Sequence, residues 1–162
     1  MAKGNNITVV ANTESTRKRE GTISGALKPG TIVQIDVSAG IDDLGNFTYE
    51  AYDADADGAR PIGPLFILLP SELKGDLATT AYADGDHCFV FVPEAGEEFN
   101  LILQDVAGTG DDHTIGEMLI VDKGTGKLIA TTGTPESEPF MLLEDVTDPT
   151  ADTLAHVIYT GY

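Results

Sequence analysis

The chain has 162 residues, 41% of them hydrophobic, and a formal net charge of −18. That length suits one compact domain with a real core, and the excess of acid repels nucleic acid and anionic membrane, so neither is expected as a partner. No apolar run approaches the roughly 20 residues a membrane helix needs, and no charged-then-apolar leader opens the chain, so the expectation is a soluble, unsecreted product.

The charge is unevenly placed. Residues 1–30 hold five of the nine basic residues (Lys3, Arg17, Lys18, Arg19, Lys28) against two acids, a net of +3, while residues 31–162 carry a net of −21. Such asymmetry points to an arm that does something different from the body. Residues 1–25 contain no sustained periodicity beyond the short apolar run Ile7, Val9, Val10. This composition suits an extended arm able to add one short strand to another sheet, with Arg17, Lys18 and Arg19 as an electrostatic handle for an acidic surface. A merely solvated tail is the bland alternative.

The domain proper, residues 26–162, opens with a Lys-Pro-Gly turn at 28–30. Residues 31–37 alternate apolar and polar in part, and 46–52 set Phe47, Tyr49 and Ala51 against Thr48 and Glu50; the two are expected to form a hairpin across a polar link at 38–45. Residues 53–58 then read Asp-Ala-Asp-Ala-Asp-Gly. Carboxylates at Asp53, Asp55 and Asp57 with glycine next are the opening half of a calcium loop. Pro64 stands where that loop wants a bidentate glutamate and no helical pattern flanks it, so an acidic surface turn is the preferred reading and no metal or other cofactor is expected.

The run 65–69 is continuously apolar and is expected to be buried on both faces. Residues 71–75 could hold one helical turn at most. The apolar runs 87–92 and 99–103 follow, separated by an acidic glycine turn at 94–98, so that 66–103 reads as the centre of an all-β domain. Cys88, the one cysteine, cannot make an internal disulfide and reads as a small buried side chain. Asp111, Asp112 and His113 lack partners at ligand spacing. Residues 118–121 and 127–132 flank Asp-Lys-Gly-Thr-Gly, the clearest hairpin in the chain. Residues 140–143 form another strand, and 154–159 a last one lying inside a sheet, with His156 as a surface or interface residue. The count is about nine or ten short strands between Thr31 and Tyr159, with little helix, which suits a sandwich or barrel.

Several stretches taken in order resemble the capsid decoration, or cement, proteins of tailed bacteriophages. They are the apolar strand 65–69 after an Asp-Gly turn; Ala-Tyr-Ala-Asp-Gly-Asp at 81–86 leading into an aromatic-aliphatic strand; a Pro-acid-Gly hairpin at 93–98; Gly-Glu-Met-Leu at 116–119 followed by Asp-Lys-Gly-Thr-Gly-Lys-Leu at 122–128; and Phe-Met-Leu-Leu-Glu-Asp at 140–145. The resemblance covers roughly residues 27–159. It implies a β-barrel or β-tulip domain preceded by an N-terminal arm, made in the host cytoplasm and carried on the outer surface of the phage head. In that setting the domain would assemble as a homotrimer on the major capsid protein at three-fold and quasi-three-fold positions. The capsid contacts implied are Lys3, Arg17, Lys18 and Arg19 as charges, and Ile7, Val9 and Val10 as the strand added to a coat-protein sheet. The acidic insert around 42–57 departs from the shorter members of that family.

Two other classes stay open. A capsid-surface adhesin or receptor-binding module would share the fold. A glycan-active enzyme would need a working carboxylate pair, but Glu97 with Glu98 and Glu144 with Asp145 are sequence neighbours that would point to opposite faces of a strand, and there is no tryptophan for sugar stacking. No catalytic residue is expected.

Overall fold

A computed structural model describes residues 7–10, 17–43, 45–53, 64–71, 80–104, 112–122, 124–130, 140–147 and 153–161. Alternating and continuous apolar runs give eleven strands among them: β1 (Thr8–Val10), β2 (Lys18–Ile23), β3 (Ile32–Ile35), β4 (Phe47–Ala51), β5 (Phe66–Leu69), β6 (His87–Phe91), β7 (Glu98–Leu103), β8 (Met118–Val121), β9 (Leu128–Ala130), β10 (Phe140–Leu142) and β11 (Thr153–Tyr159). The described residues hold no α-helix. The all-β expectation holds, and nine of the strands, β3 to β11, lie between Thr31 and Tyr159.

The strands divide between two layers. β2, β4, β3, β5 and β6 close into a barrel in that order, with β2 and β4 parallel and the other pairs antiparallel. Closure removes the unpaired edges that an open sheet of this size would expose. The second layer is a six-stranded sheet in the order β1, β7, β11, β10, β8, β9. It curls until β9 meets β7 in a parallel contact at Leu103 and Leu128. β11 is interior, as expected, paired to β7 over six residues and to β10 over three. The β3–β4 and β8–β9 hairpins also form as expected.

Two cores follow from the period-2 pattern. Ile23, Val33, Tyr49, Phe66, Leu68, Tyr82, Cys88 and Val90 fill the barrel. Tyr49 meets Phe66 edge-on at 5.2 Å, and the Tyr82 hydroxyl donates to the Leu69 carbonyl at 2.7 Å. The alternate residues Ile32, Ile67 and Phe91 turn outward and join Ile7, Phe99, Leu101, Leu103, Leu119, Phe140 and Val157 in a larger core shared with the sheet. This explains why 65–69 is apolar throughout: β5 serves one core with each face.

β5 and β6 belong to the barrel and β7 to the second layer, so residues 66–103 divide between the two. Two sequence readings need correction. The stretch 93–98 is therefore a crossing between layers and not a hairpin, because no ladder joins β6 to β7. The arm boundary also moves for part of 1–25. β2 lies inside the barrel, paired to β6 from Lys18 to Thr22 and to β4 from Gly21 to Ile23, so the barrel begins at Lys18.

Candidate functional site

The basic residues singled out in the sequence have specific structural surroundings. Arg17 precedes β2, where the barrel meets the crossing into β7. Its guanidinium grips the Glu97 carboxylate with both terminal nitrogens, Nη1 donating to Oε2 at 3.0 Å and Nη2 to Oε1. Nη1 also lies 3.2 Å from Glu94 Oε2. The guanidinium carbon sits 4.8 Å from the centre of the Phe91 ring. The Arg17 and Glu97 side chains are only 13% and 9% exposed, so the pair is largely removed from water. Glu97 Oε2 additionally accepts from the Glu94 amide at 2.8 Å, and the Glu97 carbonyl accepts from Tyr159 of β11 at 2.8 Å. A bidentate, charge-assisted contact of this kind fixes geometry as well as charge. Arg17 thus ties the start of β2 to the seam between the two layers.

The Lys18 ammonium lies 4.7 Å from the centre of the Phe89 ring. Arg19 is exposed at the start of β2. Ile7 is fully buried in the shared core, its carbonyl accepting from the Asn100 amide at 2.7 Å. β1, with the Val9 and Val10 backbone in it, pairs with this chain's own β7. Lys3, Asp55 and Asp57 lie outside the described residues, and Asp53 is exposed. Among the described residues no group of three or more metal-type side chains converges.

The acid and imidazole groups are bonded in ways that hold loops and strands. His156 Nε2 is 2.9 Å from Glu98 Oε2, so Glu98 and its neighbour Glu97 face different partners, as strand geometry demands. Glu144 accepts from the His156 amide at 2.7 Å, and Asp145 from the Ile115 amide at 2.9 Å. His113 Nδ1 is 3.1 Å from Glu117 Oε2. Burial pushes the Cys88 thiol up to about 12, the opposite of what a nucleophile needs.

One feature lies where the sequence suggested a polar link. Val37, Ile41 and Phe47, at the tip of the β3–β4 hairpin, are exposed by 77%, 60% and 42%. Phe47 follows the alternation of β4 but sits at its first residue, beyond the reach of the barrel core, while Tyr49 two residues on is buried. Ile41 and Phe47 face each other in an isolated bridge. Asp36 shapes the tip: its Oδ1 accepts from the Ser38 hydroxyl at 2.6 Å and from the Ser38 and Ala39 amides at 2.8 and 3.0 Å. These bonds, the Ser38 hydroxyl foremost, hold its carboxyl below the usual range. Asp42 likewise accepts from the Asn46 amide at 2.7 Å. The isolated apolar letters Val37 and Ile41 among turn formers were the available signal.

No protein-family description matches this sequence, and no curated protein matches it. Among solved structures the fold is similar to that of the head fiber gp8.5 N base of bacteriophage phi29, with a TM-score of 0.52 at 12% identity over 88% of this chain and 92% of that one. At that identity the likeness is one of fold, and it spans both layers.

Proposed function

We propose that this chain is a structural protein of the outer surface of a tailed-phage head, which attaches to the assembled shell and performs no chemistry. The single observation that carries this reading is the near full-length fold similarity to the base of a phage head fiber. It agrees with the independent resemblance of the sequence to head decoration proteins. The site geometry is compatible: Glu97 is held by Arg17, Glu144 and Asp145 by backbone amides and Glu98 by His156, and the one thiol is buried.

In this reading the chain binds the major capsid protein as a homotrimer and stabilises the head. Each contact is weak, and linking three of them raises avidity by about 10² to 10⁴ over a single site. Arg19 and Lys3 remain the charges proposed to face the shell. Arg17 contributes indirectly, by fixing the start of β2.

The test is to mix the purified protein with undecorated, expanded heads of the phage that encodes it. Saturable binding at a fixed ratio of copies to capsomers is expected, together with greater resistance of the decorated heads to heat. Absence of binding at both low and moderate salt would sink the reading. A second reading, the base of a projecting head fiber or adhesin, is favoured by the phi29 neighbour being a fiber base. It predicts attachment without any gain in head stability.

A further inference from the structure

The turn between β8 and β9 brings together three groups that belong to different parts of the sheet. Gln104 is the first residue beyond β7, Asp122 the first beyond β8, and Thr125 stands in the turn itself. Thr125 Oγ1 lies 2.7 Å from Asp122 Oδ2 and 3.1 Å from Gln104 Oε1. All three residues are half-buried. A hydroxyl has one proton, and the carboxylate at the shorter distance takes it. Oγ1 therefore turns a lone pair, and not its proton, toward the Gln104 side-chain amide. Backbone bonds hold this arrangement in place. The Gln104 amide donates to the Leu128 carbonyl at 2.8 Å, the Asp122 amide to the Lys127 carbonyl at 2.7 Å, and the Gly126 amide to the Asp122 carbonyl at 3.1 Å. The Lys127 amide reaches Oγ1 itself at 3.3 Å.

A hydroxyl with a base on one side and a carboxamide on the other has the parts of an acyl transfer: nucleophile, general base and acyl group. From this geometry we infer that Thr125 and Gln104 join in an intramolecular ester. Asp122 takes the hydroxyl proton as Oγ1 forms a bond to Gln104 Cδ. The Cδ–Nε2 bond then breaks, Asp122 gives the proton to the departing nitrogen, and ammonia leaves. One hydroxyl and one primary amide thus become one ester and one ammonia, with no oxidant, reductant or co-reactant. The Lys127 amide steadies the charge that builds on Oγ1 as its proton departs. Holding the groups in contact supplies the effective concentration that a free alcohol and amide lack, and escape of ammonia into the medium draws the exchange forward. The reaction happens once and acts on no outside substrate, so it goes beyond the head-surface reading without altering it.

The bond falls on a thin seam of the fold. Parallel β7 and β9 meet at one register pair, Leu103 with Leu128, and the same turn fastens to the barrel through Gly126 and Ile32. A covalent link across that seam closes a loop of about 20 residues and restricts the unfolded chain.

Mass spectrometry of the purified full-length protein, held folded at neutral pH and then digested with trypsin, tests the ester. Trypsin cuts after Lys74, Lys123 and Lys127, so Gln104 and Thr125 fall on separate fragments, 75–123 and 124–127. The two are expected to stay joined, at one ammonia less than their summed mass, until hydroxylamine cleaves the ester. Thr125→Ser keeps the hydroxyl and should still join them, whereas Thr125→Val should not. Asp122→Asn should join them about 100-fold more slowly or worse. Gln104→Met replaces Thr125→Val as the unreactive control if the latter loses its cooperative melting transition. An ordinary hydrogen-bonded contact, with the Gln104 nitrogen donating to Oγ1, predicts separate fragments of full mass from wild type, and that result overturns the inference. Loss of ammonia that persists in the unreactive control, or joined fragments that resist hydroxylamine, overturns it as well. Head binding plays no part in the readout, so either outcome leaves the head-surface reading as it stands.

Discussion

Arg17 and Glu97 lie 80 positions apart in the chain and hold each other in a largely dry setting beneath Phe91. Removing one partner leaves the other charge buried and unanswered, so Arg17→Met or Glu97→Gln is expected to cost about 3 kcal/mol in denaturant unfolding. The double replacement Arg17→Met/Glu97→Leu should recover most of that loss. Additive single losses would mean the pair is not coupled. Cys88 supplies a second residue-scale prediction. Its folded-state value of about 12 exceeds the roughly 8.5 of an exposed thiol, so its contribution to stability is complete below about pH 8.5 and is lost as pH rises from there through the folded value. Tyr49, raised by the same burial, acts in the same direction at higher pH. The unfolding free energy of wild type should fall more steeply between pH 9 and 11 than that of Cys88→Ala. Thiol reagents at pH 8 should modify Cys88 only after unfolding.

Among the elements, the turn between β8 and β9 does more than reverse the chain. The Gly126 carbonyl accepts from the Ile32 amide of β3 at 2.7 Å, which fastens the curled sheet to the barrel. Gly126 has φ of 64°, and a Cβ there would collide with the Ile32 carbonyl. Gly126→Ala is therefore expected to cost about 2 kcal/mol or more from strain and overlap combined. Gly124 has φ of 77° but nothing near its would-be Cβ, so Gly124→Ala should cost less, through backbone strain alone. Equal losses in urea unfolding would contradict the docking role of Gly126. Gly21 is a parallel case inside the barrel, where a side chain would meet the Phe47 carbonyl and the Tyr49 ring.

For the whole molecule, the two cores make the N-terminal segment part of the folded body. Ile7 is fully buried beside Phe99 and Leu101, and β1 covers the edge of β7. Deletion of residues 1–16 is expected to destabilise the protein by about 2–5 kcal/mol, the range for emptying a buried aliphatic site, while leaving a barrel that begins at Lys18. Deletion through residue 25 would remove β2 and open the barrel, so it cannot separate attachment from folding. Calorimetric melting of both truncations distinguishes the cases: a lowered but cooperative transition is expected for the first, and none for the second.

The sequence by itself determined the class of fold and most of the strands, because burial on one or two faces writes itself as period-2 or continuous apolar patterns. The two local hairpins, β3–β4 and β8–β9, were legible for the same reason. Only the tertiary structure decided which strands share a sheet. β6 and β7 are neighbours in sequence, and nothing local reveals that the turn between them crosses layers, since the ion pair securing it joins Arg17 to Glu97. The same long-range pairing drew β2 into the barrel: Lys18, Arg19 and Glu20 in succession resemble a solvated tail, yet their backbone completes a ladder with β6. The exposed tip at Val37, Ile41 and Phe47 was hidden for the complementary reason. Sequence patterns report what a residue prefers to cover, and only the closed barrel fixes which apolar side chains it has no room to bury.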